Sequence, residues 1–105
     1  ATYIAGPSAA AVMADYGADV IKIERPPFGD PYRLLSSAPG MPVAEWNYCW
    51  IMDSRSKRSV ALDLNQEPAR QALLRLIGRA DVFVTNYQPS LLRKFELRLA
   101  TIPRR

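Results

Sequence analysis

A chain of 105 residues, 49% hydrophobic and 23% charged, is long enough for one small core and too ordinary in composition for a disordered segment. Its net charge of +4 suits an anionic partner, but no run of five or six cations occurs, so a nucleic-acid-binding arm is not indicated. Histidine is absent and Cys49 stands alone, which excludes Ser-His and Cys-His nucleophile systems and an internal disulfide, leaves no metal site expected, and makes a reducing cytoplasm the natural compartment.

In chain order, Thr2-Tyr3-Ile4-Ala5 is a short apolar run ended by Gly6-Pro7 and predicts a strand stump. Ser8 is placed to cap a helix over 9–16, and Gly17 to stop it. Residues 19–24 alternate apolar and polar side chains and are β-branched, the pattern of a strand, which Pro26-Pro27 close. Residues 26–42 hold five prolines and two glycines and predict a long ordered loop of the kind that often carries function. A short helix is expected within 43–52, around Trp46, Tyr48 and Trp50, with Cys49 as a buried, inert thiol.

Residues 59–64 predict the next strand. Asn65 as N-cap, Glu67 and Pro68 in the first turn, and a stripe of Leu73, Leu74, Ile77 and Ala80 then predict a core-facing helix. Arg70, Arg75 and Arg79 fall off that stripe, on the wet face. Residues 81–85 predict a buried strand, and Pro89 opens a last short helix through about Phe95. This alternation argues for an α/β fold with a mostly parallel sheet flanked by helices. No stretch approaches the ~20 apolar residues of a membrane span. The chain starts at Ala1 inside an apolar run and ends at Arg104-Arg105 after a proline, and it reads as a piece of something longer.

Ligands of open parallel sheets bind beyond the carboxyl ends of the strands. The groups at those ends are Ile4-Ala5-Gly6, Glu24-Arg25, Asp63-Leu64-Asn65 and Asn86-Tyr87-Gln88. The five glycines match neither a dinucleotide fingerprint nor a phosphate-cradling loop. Arg25, between a strand and two prolines, is placed to fork onto a phosphate, or alternatively to pair with Glu24 or Asp30 on the surface. Trp46, Tyr48 and Trp50 lack interleaved cations, so a base-stacking platform is discounted. Lys57-Arg58 entering a strand is costly unless something anionic is nearby.

Several blocks resemble the class III CoA-transferases, the family of formyl-CoA transferase, carnitine-CoA transferase and methylacyl-CoA racemase. They are Ala5-Gly6-Pro7, then Ala14-Asp15-Tyr16-Gly17-Ala18-Asp19-Val20-Ile21-Lys22-Ile23-Glu24, Gly29-Asp30-Pro31 and Arg33. The resemblance resumes at Lys57-Arg58-Ser59, Leu62-Asp63-Leu64, Ala80-Asp81-Val82, Asn86 and Pro89. The segment between Asp30 and Lys57 looks more like the formyl-CoA transferase branch than the racemase.

The resemblance implies a Rossmann-like CoA-binding domain at the amino-terminal end of a longer enzyme, with two subunits interlocked as a homodimer. It puts the CoA contacts on Ile4, Ala5, Arg25, Leu62, Asp63, Leu64, Asn65, Asn86, Tyr87, Gln88 and Lys94. Lys94 stands where formyl-CoA transferase has an arginine near the phosphates, and Asn65 where it has a lysine. The implied reaction moves CoA between carboxylic acids. An aspartate attacks the acyl-CoA thioester, releasing the CoA thiolate and leaving an aspartyl anhydride, and a second carboxylate then takes the CoA. No acid here matches that aspartate's motif, so no catalytic residue is assigned and the chain is expected to be inactive alone. Its expected partners are CoA or acyl-CoA and a second copy, with segments open to exchange and Trp46 and Trp50 as candidate interface residues. The competing reading is a non-catalytic, self-associating interaction module derived from the same family.

Overall fold

The computed structural model describes residues 1–97; the terminal Arg104-Arg105 lies outside the described residues. Helix α1 (Ala5–Asp15) leads into strand β1 (Val20–Glu24). A 3-10 helix (Pro31–Ser37) and α2 (Tyr48–Ser54) follow, then β2 (Lys57–Ala61), α3 (Glu67–Ile77) and α4 (Pro89–Lys94). The strands pair in parallel, from Val20 opposite Lys57 to Glu24 opposite Ala61. The α/β class and the parallel sheet flanked by helices are therefore as the sequence implies.

Local chemistry explains most boundaries. Gly17, at φ +95°, ends α1 as expected, its N–H donating to the Ala14 carbonyl at 2.9 Å. Asn47 caps α2 by accepting from the Trp50 N–H at 3.1 Å, and Asp30 caps the 3-10 helix by accepting from Tyr32 N–H at 3.0 Å. The expected loop over 26–42 thus contains a helical segment pinned by its own aspartate.

Several expectations need correction. Residues 2–5 form no strand stump: Tyr3 turns at φ +60° and α1 begins at Ala5. Pro7 is tolerated in the first turn, where its missing N–H has no intrahelical partner to lose. Ser8 is not the cap, for its hydroxyl donates to Asp53 at 2.5 Å. Asn65 does not cap α3 either. Its backbone and side-chain N–H groups both donate to Asp63 Oδ1, at 3.1 and 2.9 Å, and Gln66 takes the cap position. Finally, 81–85 is not a buried strand. Val82 is 63% and Phe83 37% exposed, and no further strand of the described residues lies alongside to take their backbone groups.

The core is small. Leu64, Leu73, Ile77 and Leu97 are buried together, with Ile23, Leu62, Leu74, Tyr87, Leu92 and Phe95 packed against them. Ala80, expected on the helix stripe, is exposed beyond the end of α3. Arg70 is not on the wet face. Its Nη1 donates to the carbonyls of Leu64 and Asn65 at 3.1 and 3.2 Å, clamping the β2–α3 turn.

Candidate functional site

Side chains alternate across a strand. In β1 the buried pair is the charged one, Lys22 and Glu24, while Ile21 and Ile23 are only half-buried. Burying two charges is tolerable only with partners, and each has them. Lys22 Nζ donates to Asp30 Oδ2 at 2.7 Å and to the Ala1 carbonyl at 3.3 Å. Glu24 accepts from Arg33 Nε at 2.8 Å, Arg33 Nη2 at 2.7 Å, Ser59 Oγ at 2.8 Å and Asp30 N–H at 3.1 Å. These donors, Arg33 foremost, hold the Glu24 carboxyl down at about 2. The Arg33 guanidinium lies 3.7 Å from the Trp50 ring centre, with Lys22 Nζ at 5.6 Å, so Trp50 is covered from within the chain while Trp46 is 68% exposed.

A second buried group adjoins this one. Asp53 accepts from Ser8 Oγ and Tyr32 Oη, both at 2.5 Å, and burial beside that carboxylate raises the Tyr32 phenol. Lys57 donates to the Pro7 carbonyl at 2.6 Å and to the Asp53 carbonyl. Arg58 pairs with Asp19 in the open at 2.9 and 2.5 Å. The cations at the start of β2 are therefore satisfied inside the chain and need no bound anion.

Of the residues expected at a ligand site, Arg25 and the 62–65 turn lie just past the carboxyl ends of β1 and β2, whereas Ile4, Ala5, Asn86, Tyr87, Gln88 and Lys94 follow no strand among the described residues. Leu62 N–H donates to Glu24 O at 2.9 Å, which brings the 62–65 turn beside Arg25. Arg25 is exposed and forms no ion pair among the described residues, and neither Glu24 nor Asp30 is its partner. Its charge does reach Asp63, whose carboxyl is held below the ordinary range chiefly by the Asn65 N–H, then by the Asn65 amide, with Arg25 adding a smaller part. Asn86 pairs with Thr2 in both directions, donating to its carbonyl and accepting from its N–H at 2.9 Å each. That bond holds the chain leading to Ile4 and Ala5, both exposed.

Leu62, Leu64 and Tyr87 share the apolar cluster, with Leu64 buried in it. The Tyr87 ring is tilted against Phe95 at 6.2 Å, and Lys94 Nζ stands 5.4 Å from that ring. Gln88 is exposed just ahead of α4. The structure thus joins Arg25 to the 62–65 turn, and Tyr87 through Phe95 to Lys94. Ile4 and Ala5 are tied to Asn86. A hollow of ≈ 770 Å³ opens elsewhere, along Ile21, Leu76 and Val82, and touches only Leu64 and Tyr87 of the expected set.

Sequence reasoning missed the roles of Lys22, Asp30, Arg33, Asp53 and Tyr32. The signal available was the density of opposite charges at positions 22, 24, 30 and 33 around a glycine-proline loop. Among the described residues no group of three or more His, Cys, Asp or Glu converges as a metal site, and no helix is long and apolar enough to cross a membrane.

Fold and site define a parallel α/β unit with an exposed Arg25 and the 62–65 turn past the carboxyl ends of its two strands. The chain belongs to CoA-transferase family III, whose pattern it matches over residues 1–105. It is 33% identical over 95 residues to the succinyl-CoA–L-malate CoA-transferase alpha subunit of Chloroflexus aurantiacus, covering 90% of this chain and 22% of that protein. It is 40% identical over 104 residues to the succinyl-CoA:mesaconate CoA-transferase of Haloarcula hispanica, covering 94% and 25%. The crystal structure of a CAIB/BAIF family protein from Brucella suis superposes with a TM-score of 0.83 at 32% identity, over 97% of this chain and 27% of that one. Rv3272 of Mycobacterium tuberculosis, in its orthorhombic form, gives 0.82 at 36% identity, over 97% and 28%. The chain spans about a quarter of the length of the curated relatives it matches.

Proposed function

We propose that this chain is the amino-terminal, CoA-binding part of a family III CoA-transferase, with a Rossmann-like plan. CoA transfer between carboxylic acids would then be completed by the remainder of the longer polypeptide. The observation that carries the reading is Arg25. In a chain of this family, its guanidinium stands exposed at the end of β1, beside the 62–65 turn, with no ion pair of its own among the described residues. A planar fork so placed suits a phosphate oxygen pair. Ile4, Ala5, the 62–65 turn, Asn86, Tyr87, Gln88 and Lys94 complete the proposed surface. In it the Leu64 side chain serves the core, and Leu62, half-buried, is the more available apolar contact for the adenine.

Calorimetric titration with CoA and with 3′-dephospho-CoA tests this. CoA is expected to bind more tightly, and Arg25→Ala to weaken it by about tenfold or more, the scale of one charge-assisted hydrogen bond. No heat from a folded chain with either ligand would overturn the CoA reading and leave the interaction module in its place.

The proposed assembly is a cytoplasmic homodimer, supported by exposed apolar side chains. Tyr16 is 90% exposed, and Trp46, Val82 and Phe83 lie open as well. Sedimentation at micromolar concentration is expected to show a dimer that Trp46→Ala weakens. A strictly monomeric chain would exclude it.

A further inference from the structure

Beyond the contacts named above, we propose that the Glu24–Arg33 pair, seated on Gly29, is the device that positions Arg25, and that it sets discrimination for the phosphate without touching the ligand. The proposal rests on the CoA-binding reading of Arg25.

Arg25 begins a five-residue loop, 25–29, between β1 and the 3-10 helix. The loop is closed at both ends. Glu24 O accepts from Leu62 N–H at 2.9 Å, and Arg25 O accepts from Gly29 N–H at 2.8 Å. The Asp30 N–H, just after the loop, returns to Glu24 Oε2 at 3.1 Å. Glu24 therefore receives the chain after it has gone round. The same carboxylate is held from β2 by Ser59 Oγ at 2.8 Å and from the 3-10 helix by the Arg33 fork at 2.7 and 2.8 Å. One side chain thus joins β1, β2, the 3-10 helix and the loop carrying Arg25.

Gly29 is part of the device. It sits at φ +75°, and a Cβ there would lie 2.4 Å from Glu24 Oε2 and 2.9 Å from Arg33 Nε. The ion pair occupies the space of the missing side chain, so any other residue at 29 must displace the pair or open the loop. Freed from Glu24, the loop would let Arg25 swing relative to the 62–65 turn. A guanidinium that must first be ordered loses much of what its fork contributes to binding.

The distinguishing readout is the ratio of affinities for CoA and 3′-dephospho-CoA. A merely structural lesion weakens both ligands together, whereas a positioning lesion lowers the ratio. Arg25→Ala is expected to bring the ratio close to one. Arg33→Lys, which keeps the charge but loses the fork, and Gly29→Ala are each expected to lower it at least about threefold, with 3′-dephospho-CoA affinity changed less than about twofold. Arg58→Ala, at the opposite end of the strands, should leave it unchanged. A ratio lost in Arg25→Ala but kept in folded Arg33→Lys and Gly29→Ala overturns the positioning role and leaves the CoA reading standing. A wild-type ratio of one overturns the assignment of Arg25 itself, and the positioning role with it. Amide hydrogen exchange of the wild-type chain supplies a check independent of ligand and of variant folding. The Gly29 and Asp30 amides are expected to be protected, and exchange at open-loop rates would overturn the device.

Discussion

Replacing Asp30 with alanine is expected to cost about 3–5 kcal/mol of folding stability, the scale on which breaking a buried ion pair by removing one partner acts. The Asp30 side chain is 1% exposed and its partner, the Lys22 ammonium, lies within a residue only 7% exposed. Without the carboxylate, Lys22 keeps, among the described residues, the Ala1 carbonyl at 3.3 Å as its hydrogen-bond acceptor, and a buried ammonium cannot be left so poorly matched. The same substitution removes the acceptor for the N–H groups of Tyr3, at 3.2 Å, and Tyr32, at 3.0 Å. Against a total of ~5–15 kcal/mol for a domain of this size, the loss populates the unfolded chain visibly. Urea unfolding of Asp30→Ala and of Lys22→Met/Asp30→Asn tests the cause. The double variant removes the stranded charge and keeps the capping acceptor, so it is expected to be the more stable of the two. Asp19→Ala, which breaks the exposed pair with Arg58, should cost less than about 1 kcal/mol. Equal costs for Asp30→Ala and Asp19→Ala would show that burial is not what makes the first pair matter.

That contrast also marks the limit of what the residues reveal in order. Both strands of the sheet were legible, because β-branched alternation is a local property, and the more than thirty residues between them leave room for the crossover that their parallel pairing needs. The end of β1, and with it Arg25, followed from the same pattern, whereas the second strand, expected over 59–64, runs over Lys57–Ala61 and leaves 62–65 as a turn. Alternation does not say which face is inside, however. In β1 the face bearing Lys22 and Glu24 is the buried one, because cations and carboxylates more distant in sequence compensate it. Nor does an apolar run say that it has a neighbour. Residues 81–85 have the composition of a strand, but backbone pairing is a property of two segments, and here Val84 and the neighbouring Asn86 meet the start of the chain by isolated hydrogen bonds rather than a ladder. Asn65 shows the same failure at short range. Its backbone and amide N–H groups donate to Asp63, two residues away, which turns residue 65 back onto its own loop and leaves Gln66 at the cap position. The family blocks fared better because they record long-range compensation: Gly29-Asp30-Pro31 and Arg33 are the residues that hold Glu24 and Lys22.

Glu24 makes the fold acid-sensitive in a defined window. Its ordinary pKa is 4.5 and its folded value about 2, so folding favours the ionised form. The contribution is complete above pH 4.5, where the unfolded chain is also ionised, and it is lost as pH falls through 2, where both states hold the proton. Across that interval the unfolded chain binds more protons than the folded one, and stability falls with pH. The shift corresponds to at most about 3 kcal/mol, reduced by solvent screening around the half-exposed Arg33. Glu24→Gln removes the titrating group, and with it the charge that anchors the Arg33 fork. Two results are expected from urea unfolding carried out between pH 6 and pH 2. The variant should be the less stable chain at pH 6, and its stability should fall less steeply toward pH 2, so that the two curves converge in acid. Parallel curves, with a constant gap between them, would mean that the carboxylate is not ionised against Arg33 in the folded chain.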